Sequence, residues 1–136
     1  MSVVSEEQIM SLVKGIHHVS MKTSSPEEFE KVVTFYRDIL GLTVARTWEA
    51  GIMFDTGDGI IEFFKNGDGI KPQGAIRHFA FATDDVDACV KAVIDAGYEF
   101  FDGPRDVVIP SDPGYPVRVA FCHGPLGEDI EFFQER

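Results

Sequence analysis

The tetrapeptide Ile-Glu-Phe-Phe occurs twice in this chain, at 61–64 and at 130–133, and that repetition constrains the fold more than any other feature. Upstream of each copy lies a matching stretch with strand character, Ile16-His17-His18-Val19-Ser20-Met21-Lys22-Thr23 and Ile76-Arg77-His78-Phe79-Ala80-Phe81-Ala82-Thr83. Each half runs from a strand bearing His to a strand bearing Glu with a helix between them, so the chain reads as one unit written twice.

The first unit opens on a strand over 15–22, in which His18, Ser20 and Lys22 share one side and Val19 and Met21 the other. A helix follows, with Ser25 as N-cap, Pro26 at the first helical position and Glu28 closing a capping box. Its apolar stripe is Phe29, Val32, Val33, Tyr36, Ile39 and Leu40, and Gly41 ends it. Strands are expected at 42–48, 51–55 and 59–65, giving the order β-α-β-β-β. The linker 66–74 is rich in turn residues.

The second unit repeats the order. A strand covers 75–82, a helix runs from an Asp84/Asp85 cap through Val86, Val90, Val93 and Ile94 to Gly97, and strands follow at 98–101, 116–123 and 127–134. The His-to-Glu interval is 44 residues in the first unit (18 to 62) and 53 in the second (78 to 131). The extra residues fall in 102–116, where Pro104, Pro110, Pro113 and Pro116 suggest a loop, either beside a pocket or plainly on the surface. The fold class is α+β: one domain, with a module at 15–66, a second at 75–136, and an appendage at 1–14. Ser5 and Gln8 in that appendage suggest a short helix over 6–13, and its acidic start is unlike a secretory signal.

Alternation puts His18, Glu62, His78 and Glu131 on the face opposite the aliphatic and aromatic residues that want helix cover. A carboxylate in mid-strand between aromatic neighbours is costly to bury alone, and a cation offsets that cost. Two imidazoles and two carboxylates suit one divalent ion: Ni, Co or Zn first, with Mn and Fe also compatible. His17 is assigned to the helix-covered face and His123 to a Gly-Pro turn, neither as a ligand. A net charge of −11 leaves no basic patch for nucleic acid or an anionic membrane. Cys89 and Cys122 are too few and too far apart for a disulfide framework, which fits reduced thiols in a cytoplasmic protein.

As a set, Ile-x-His-Val at 16–19, Phe35-Tyr36-x-x-x-Leu40-Gly41-Leu42, Ile61-Glu62, His78-Phe-Ala-Phe and Gly124-Pro125-x-Gly127-x-x-Ile130-Glu131 resemble the vicinal oxygen chelate superfamily, the glyoxalase/bleomycin-resistance/extradiol-dioxygenase group. The resemblance implies paired modules forming an open, U-shaped sheet around a divalent metal. The order His, Glu, His, Glu resembles glyoxalase I, since the dioxygenases and fosfomycin-resistance enzymes generally use His, His and Glu. It implies a lyase or isomerase that moves a proton through a metal-bound ene-diolate of a small hemithioacetal or related substrate. Glu131 is then the base and ligand, Glu62 a ligand with a share in catalysis, and His18 and His78 complete the set. Phe64 and Phe133 wall the substrate. Asn66 matches a glutathione-contacting Asn, and Lys22 stands where the short bacterial enzymes carry an Arg, keeping the charge without the bidentate grip. A homodimer is implied too, each site drawing His18 and Glu62 from one chain and His78 and Glu131 from the other. The same superfamily holds alternatives: an acyl-thioester epimerase, an Fe-dependent dioxygenase, and a non-catalytic drug-binding protein.

Overall fold

In the computed structural model, residue 12 and residues 14–136 are described; the helix expected over 6–13 lies outside them apart from Leu12. The first module contains β1 (His18–Lys22), α1 (Pro26–Val33), β2 (Thr43–Trp48), β3 (Gly51–Asp55) and β4 (Ile60–Phe64). The second contains β5 (Phe79–Ala82), α2 (Val86–Asp95), β6 (Phe100–Ile109), β7 (Tyr115–His123) and β8 (Asp129–Glu135). Each module folds into a four-stranded mixed sheet with the same order, β1-β4-β3-β2 and β5-β8-β7-β6. In both, the module's first strand lies parallel to the Glu-bearing strand, and the rest of the sheet is antiparallel.

Local chemistry accounts for the helix starts. Ser25 Oγ accepts from the Glu28 N–H at 3.1 Å, and Asp85 caps α2 through the Ala88 N–H at 3.0 Å. Glu28 reaches back one residue further than a capping box requires, its carboxylate accepting from the Ser24 N–H at 2.9 Å. After Val33 the first helix widens into a π-helical segment, Thr34–Ile39. That wider turn puts the consecutive residues Phe35 and Tyr36 both into the core, each fully buried, which a regular 3.6-residue stripe does not do. On α2 the same correction runs the other way: Ile94, expected on the apolar stripe, is exposed.

Two strands are shorter than expected at their starts. The expected strand 75–82 begins at Phe79, because β8 opposes only Phe79–Ala82, so His78 sits at the strand's entrance. β1 likewise begins at His18, opposite Ile60. The proline-rich stretch 102–116 is largely not a loop. It lengthens the β6–β7 hairpin, pairing through Ile109–Tyr115 and leaving only 110–114 as connection. β6 pairs with β7 alone, and an edge strand tolerates Pro104 next to a register shift between Asp102 and Arg105.

One continuous core joins the modules. Val19, Met21, Ile52, Phe54, Ile61 and Phe63 pack inward from the first sheet, and Phe79, Phe81, Ala120, Cys122, Ile130 and Phe132 from the second. Phe35 meets Tyr98 with ring centres 4.9 Å apart, and Tyr36 meets Phe81 at 6.3 Å. Tyr36 also donates to the carboxylate of Glu128 at 2.7 Å, a polar tie between the modules. Because the two helix-covered faces share this core, the other face of each sheet turns away from it.

Candidate metal centre

The open face of the first sheet follows from its register. Glu62 pairs with Ser20 and Met53, while its neighbours Ile61 and Phe63 enter the core, so Glu62 points outward. It is nonetheless only 5 % exposed, and it faces His18, whose Nε2 lies 3.6 Å from Oε1. That separation is beyond a hydrogen bond. His17, expected on the covered face, is exposed, and its Nδ1 lies 2.9 Å from the Nδ1 of His18. The contact leaves His18 Nε2 as the nitrogen that faces Glu62, the kind of outer contact that orients a ligand imidazole. Sequence alone missed it because His17 and His18 point apart in an ideal strand, whereas β1 begins only at His18.

The second face repeats the construction. Glu131 pairs with Ala80 and Phe121, it is about 9 % exposed, and its Oε1 lies 3.1 Å from His78 Nε2. Burial raises the Glu131 carboxyl above the ordinary carboxylate range, against the pull of His78 and Arg105. Arg105 stands on this same face, paired with Val119 in register and bonded at 2.8 Å to Asp102. Sequence reasoning passed over it because it lay inside the stretch expected to loop.

Of the remaining expected site residues, Phe64, Lys22 and Asn66 belong to the first module and Phe133 to the second. Phe64 and Lys22 are register partners, and Asn66 follows β4 in an exposed turn that Gly67 ties to the Thr23 carbonyl at 2.8 Å. Phe133 pairs with Ala82 and Val119 on the second open face. Ala80 and Ala82 are exposed, leaving room next to His78. His123 ends β7 against Asp129 at 2.8 Å.

Within one chain the four candidates form two pairs, His18–Glu62 and His78–Glu131; no cluster of three or more ligand-type side chains occurs among the described residues. A cleft of about 840 Å³ between the modules, near Met21, the linker and Leu126, touches His78 alone of the four. Each pair sets an almost buried carboxylate behind a half-exposed imidazole, a donor set that fits a borderline divalent cation. Both cysteines are free thiols, and burial, with Glu128 and Asp129 nearby, pushes Cys122 up to about 12. No helix among the described residues is long and apolar enough to cross a membrane.

The sequence matches, over residues 15–132, the family described as the Glyoxalase/Bleomycin resistance protein/Dioxygenase superfamily. A solved glyoxalase/dioxygenase from Nostoc punctiforme is similar at 19 % identity and a TM-score of 0.71, covering 90 % of this chain and 92 % of that one. TnmS3, an antibiotic binding protein from a Streptomyces species, is similar at 21 % identity and a TM-score of 0.69, over 93 % and 99 % of the two chains. A glyoxalase/bleomycin resistance protein/dioxygenase from Alicyclobacillus acidocaldarius follows at 17 % identity and a TM-score of 0.64, over 89 % and 91 %. No curated protein matches the chain.

Proposed function

This chain belongs to the Glyoxalase/Bleomycin resistance protein/Dioxygenase superfamily, and we propose that within it the protein is a metal-dependent enzyme of glyoxalase I type. Its reaction is proton transfer between adjacent carbons of a small hemithioacetal or related substrate. Its working form is a homodimer with two sites, each built from His18 and Glu62 of one copy and His78 and Glu131 of the other.

The observation that carries this reading is the pair of matching His–Glu couples, one on each open face, which do not meet inside the chain. Each couple is half a ligand set, and a two-fold axis completes two sets at once. A divalent ion held there supplies Lewis-acid polarisation of neighbouring substrate oxygens. The protein's own groups do the rest. His17 steadies His18, so that one imidazole nitrogen remains for the ion. Glu131, with its proton affinity raised by burial, takes the proton from one carbon and returns it to the next. Glu62 stays chiefly a ligand. Phe64 and Phe133, on the same faces as the two carboxylates, keep water from the reacting carbons. Lys22 and Asn66, near one another at the end of the first sheet, are suited to the polar end of the substrate.

Metal content tests the ligand set. By plasma emission, the purified parent protein retains about one ion per chain on this account, two sites per dimer. His78→Ala loses it, and undiminished metal in that variant removes His78 from the site.

A further inference from the structure

Beyond the ligands, the open faces carry a set of aromatic rings that the proton transfer does not require. On the second face, β6 bulges at Phe101: Phe100 pairs with Cys122 and Asp102 with Phe121, leaving Phe101 between them without a partner. Its ring joins the open face, 5.9 Å from Phe121 and stacked on His123 at 4.5 Å. Phe121 in turn sets its edge against His78 at 5.4 Å and pairs with Glu131. Phe101 is 52 % exposed, an unusual position for a ring so close to a site. On the first face, Trp48 lies edge-to-face with Phe64 at 5.7 Å, two residues along from Glu62. Gly51 makes room for it, since a Cβ there would stand 3.0 Å from the indole. The second ring set therefore packs directly against His78, and the first lies further along the strand that carries Glu62.

We propose that the ligand of this site carries a planar aromatic group, held between the Trp48–Phe64 corner of one copy and the Phe101–Phe121 strip of the other. The inference rests on the two-copy site proposed above. The rings favour a ligand over a purely protein contact because Phe121 touches the ligand imidazole itself. An occupant of the strip is then within reach of the metal-binding atoms. Flat faces and edges at these spacings recognise another ring better than an alkyl group.

Benzohydroxamate and acetohydroxamate separate the possibilities, since both grip a metal through two adjacent oxygens and differ only in phenyl against methyl. Calorimetry on the metal-loaded, full-length protein measures each affinity, referred to the same compounds with the free ion. The phenyl compound is expected to bind about tenfold or more tighter. It alone should quench Trp48, the single Trp of the chain. Phe101→Leu and Trp48→Leu are each expected to lower that preference, read as the ratio of the two affinities in the same variant. Equal affinity for the two probes, or a preference unaltered in both variants, overturns the aromatic assignment and leaves the metal site standing. If neither probe binds the metal-loaded protein, the enzyme reading fails and this inference with it.

Discussion

Replacing Tyr36 with Phe isolates a polar contact that ties the modules through the core. The ring keeps its neighbours, Phe35 and Phe63 at 5.0 Å between centres and Phe54 at 6.0 Å, so packing changes little. What is lost is the hydroxyl that donates to Glu128 at 2.7 Å; the other carboxylate oxygen still accepts from the Leu126 N–H at 2.7 Å. Burial raises Glu128 above its ordinary value of 4.5, and the Tyr36 hydrogen bond works against that rise. Folded Glu128 thus holds its proton more tightly than the unfolded chain does. Its contribution to stability is full below about pH 4.5 and declines as pH climbs through the raised folded value. Removing the hydroxyl raises that value further, so the variant's penalty grows with pH. When Glu128 is neutral the loss is that of an ordinary hydrogen bond, about 1 kcal/mol. When it is ionised, a hydrogen bond to charge is lost, about 2 kcal/mol or slightly more, held to that level because the carboxyl group keeps some access to water. Urea unfolding of both proteins at about pH 4 and about pH 8 is therefore expected to give a difference that widens by about 1 kcal/mol, near 1.36 kcal/mol per unit of further pKa rise. A penalty that stays constant, or shrinks toward high pH, refutes the account of Glu128.

Glu131→Gln keeps the shape and one oxygen donor but removes the base, so metal should remain largely bound while solvent-deuterium exchange into a turned-over substrate falls by about two to four orders of magnitude. Exchange at the parent rate in Glu131→Gln, with loss in Glu62→Gln, reverses the two roles. Gly51→Ala brings a methyl group 2.5 Å from the Phe63 carbonyl oxygen and 3.0 Å from Trp48, and is expected to cost about 1–3 kcal/mol in thermal unfolding with a shift in Trp48 emission. An unchanged Tm and spectrum contradict the close packing there.

The duplicated architecture was legible because each unit states it locally. Strand alternation separates Glu62 from Ile61 and Phe63, and Ser25 and Asp85 announce the helix starts through their own side chains. The misses have a common cause in partners distant along the chain. Pro104 looks like a loop residue until β6 is known to be an edge strand, whereas Pro110 and Pro113 do lie in the connection 110–114. The π-helical segment satisfies Phe35 and Tyr36 together, which only the shared core demands. Nothing near Glu128 in sequence signals that its partner is Tyr36. As for the site, the face of each His and Glu was readable from alternation. Their grouping into pairs rests on the parallel pairing of β1 with β4 and of β5 with β8 inside each module, and neither that pairing nor the contact of His17 with His18 was readable from alternation alone.

The central claim, a site completed by a second copy, is tested most directly by complementation between two defective chains. His18→Ala and His78→Ala proteins, each purified alone, have every two-copy site missing one imidazole. Unfolded together and refolded as a mixture, they form mixed dimers in which one site collects both mutations and the other collects both intact residues. With random pairing, metal binding is expected to return to about one quarter of the parent level, and catalysis with it once a substrate is in hand. If mixed dimers form and metal binding stays at the level of the separate variants, the two halves of the site do not come from different chains.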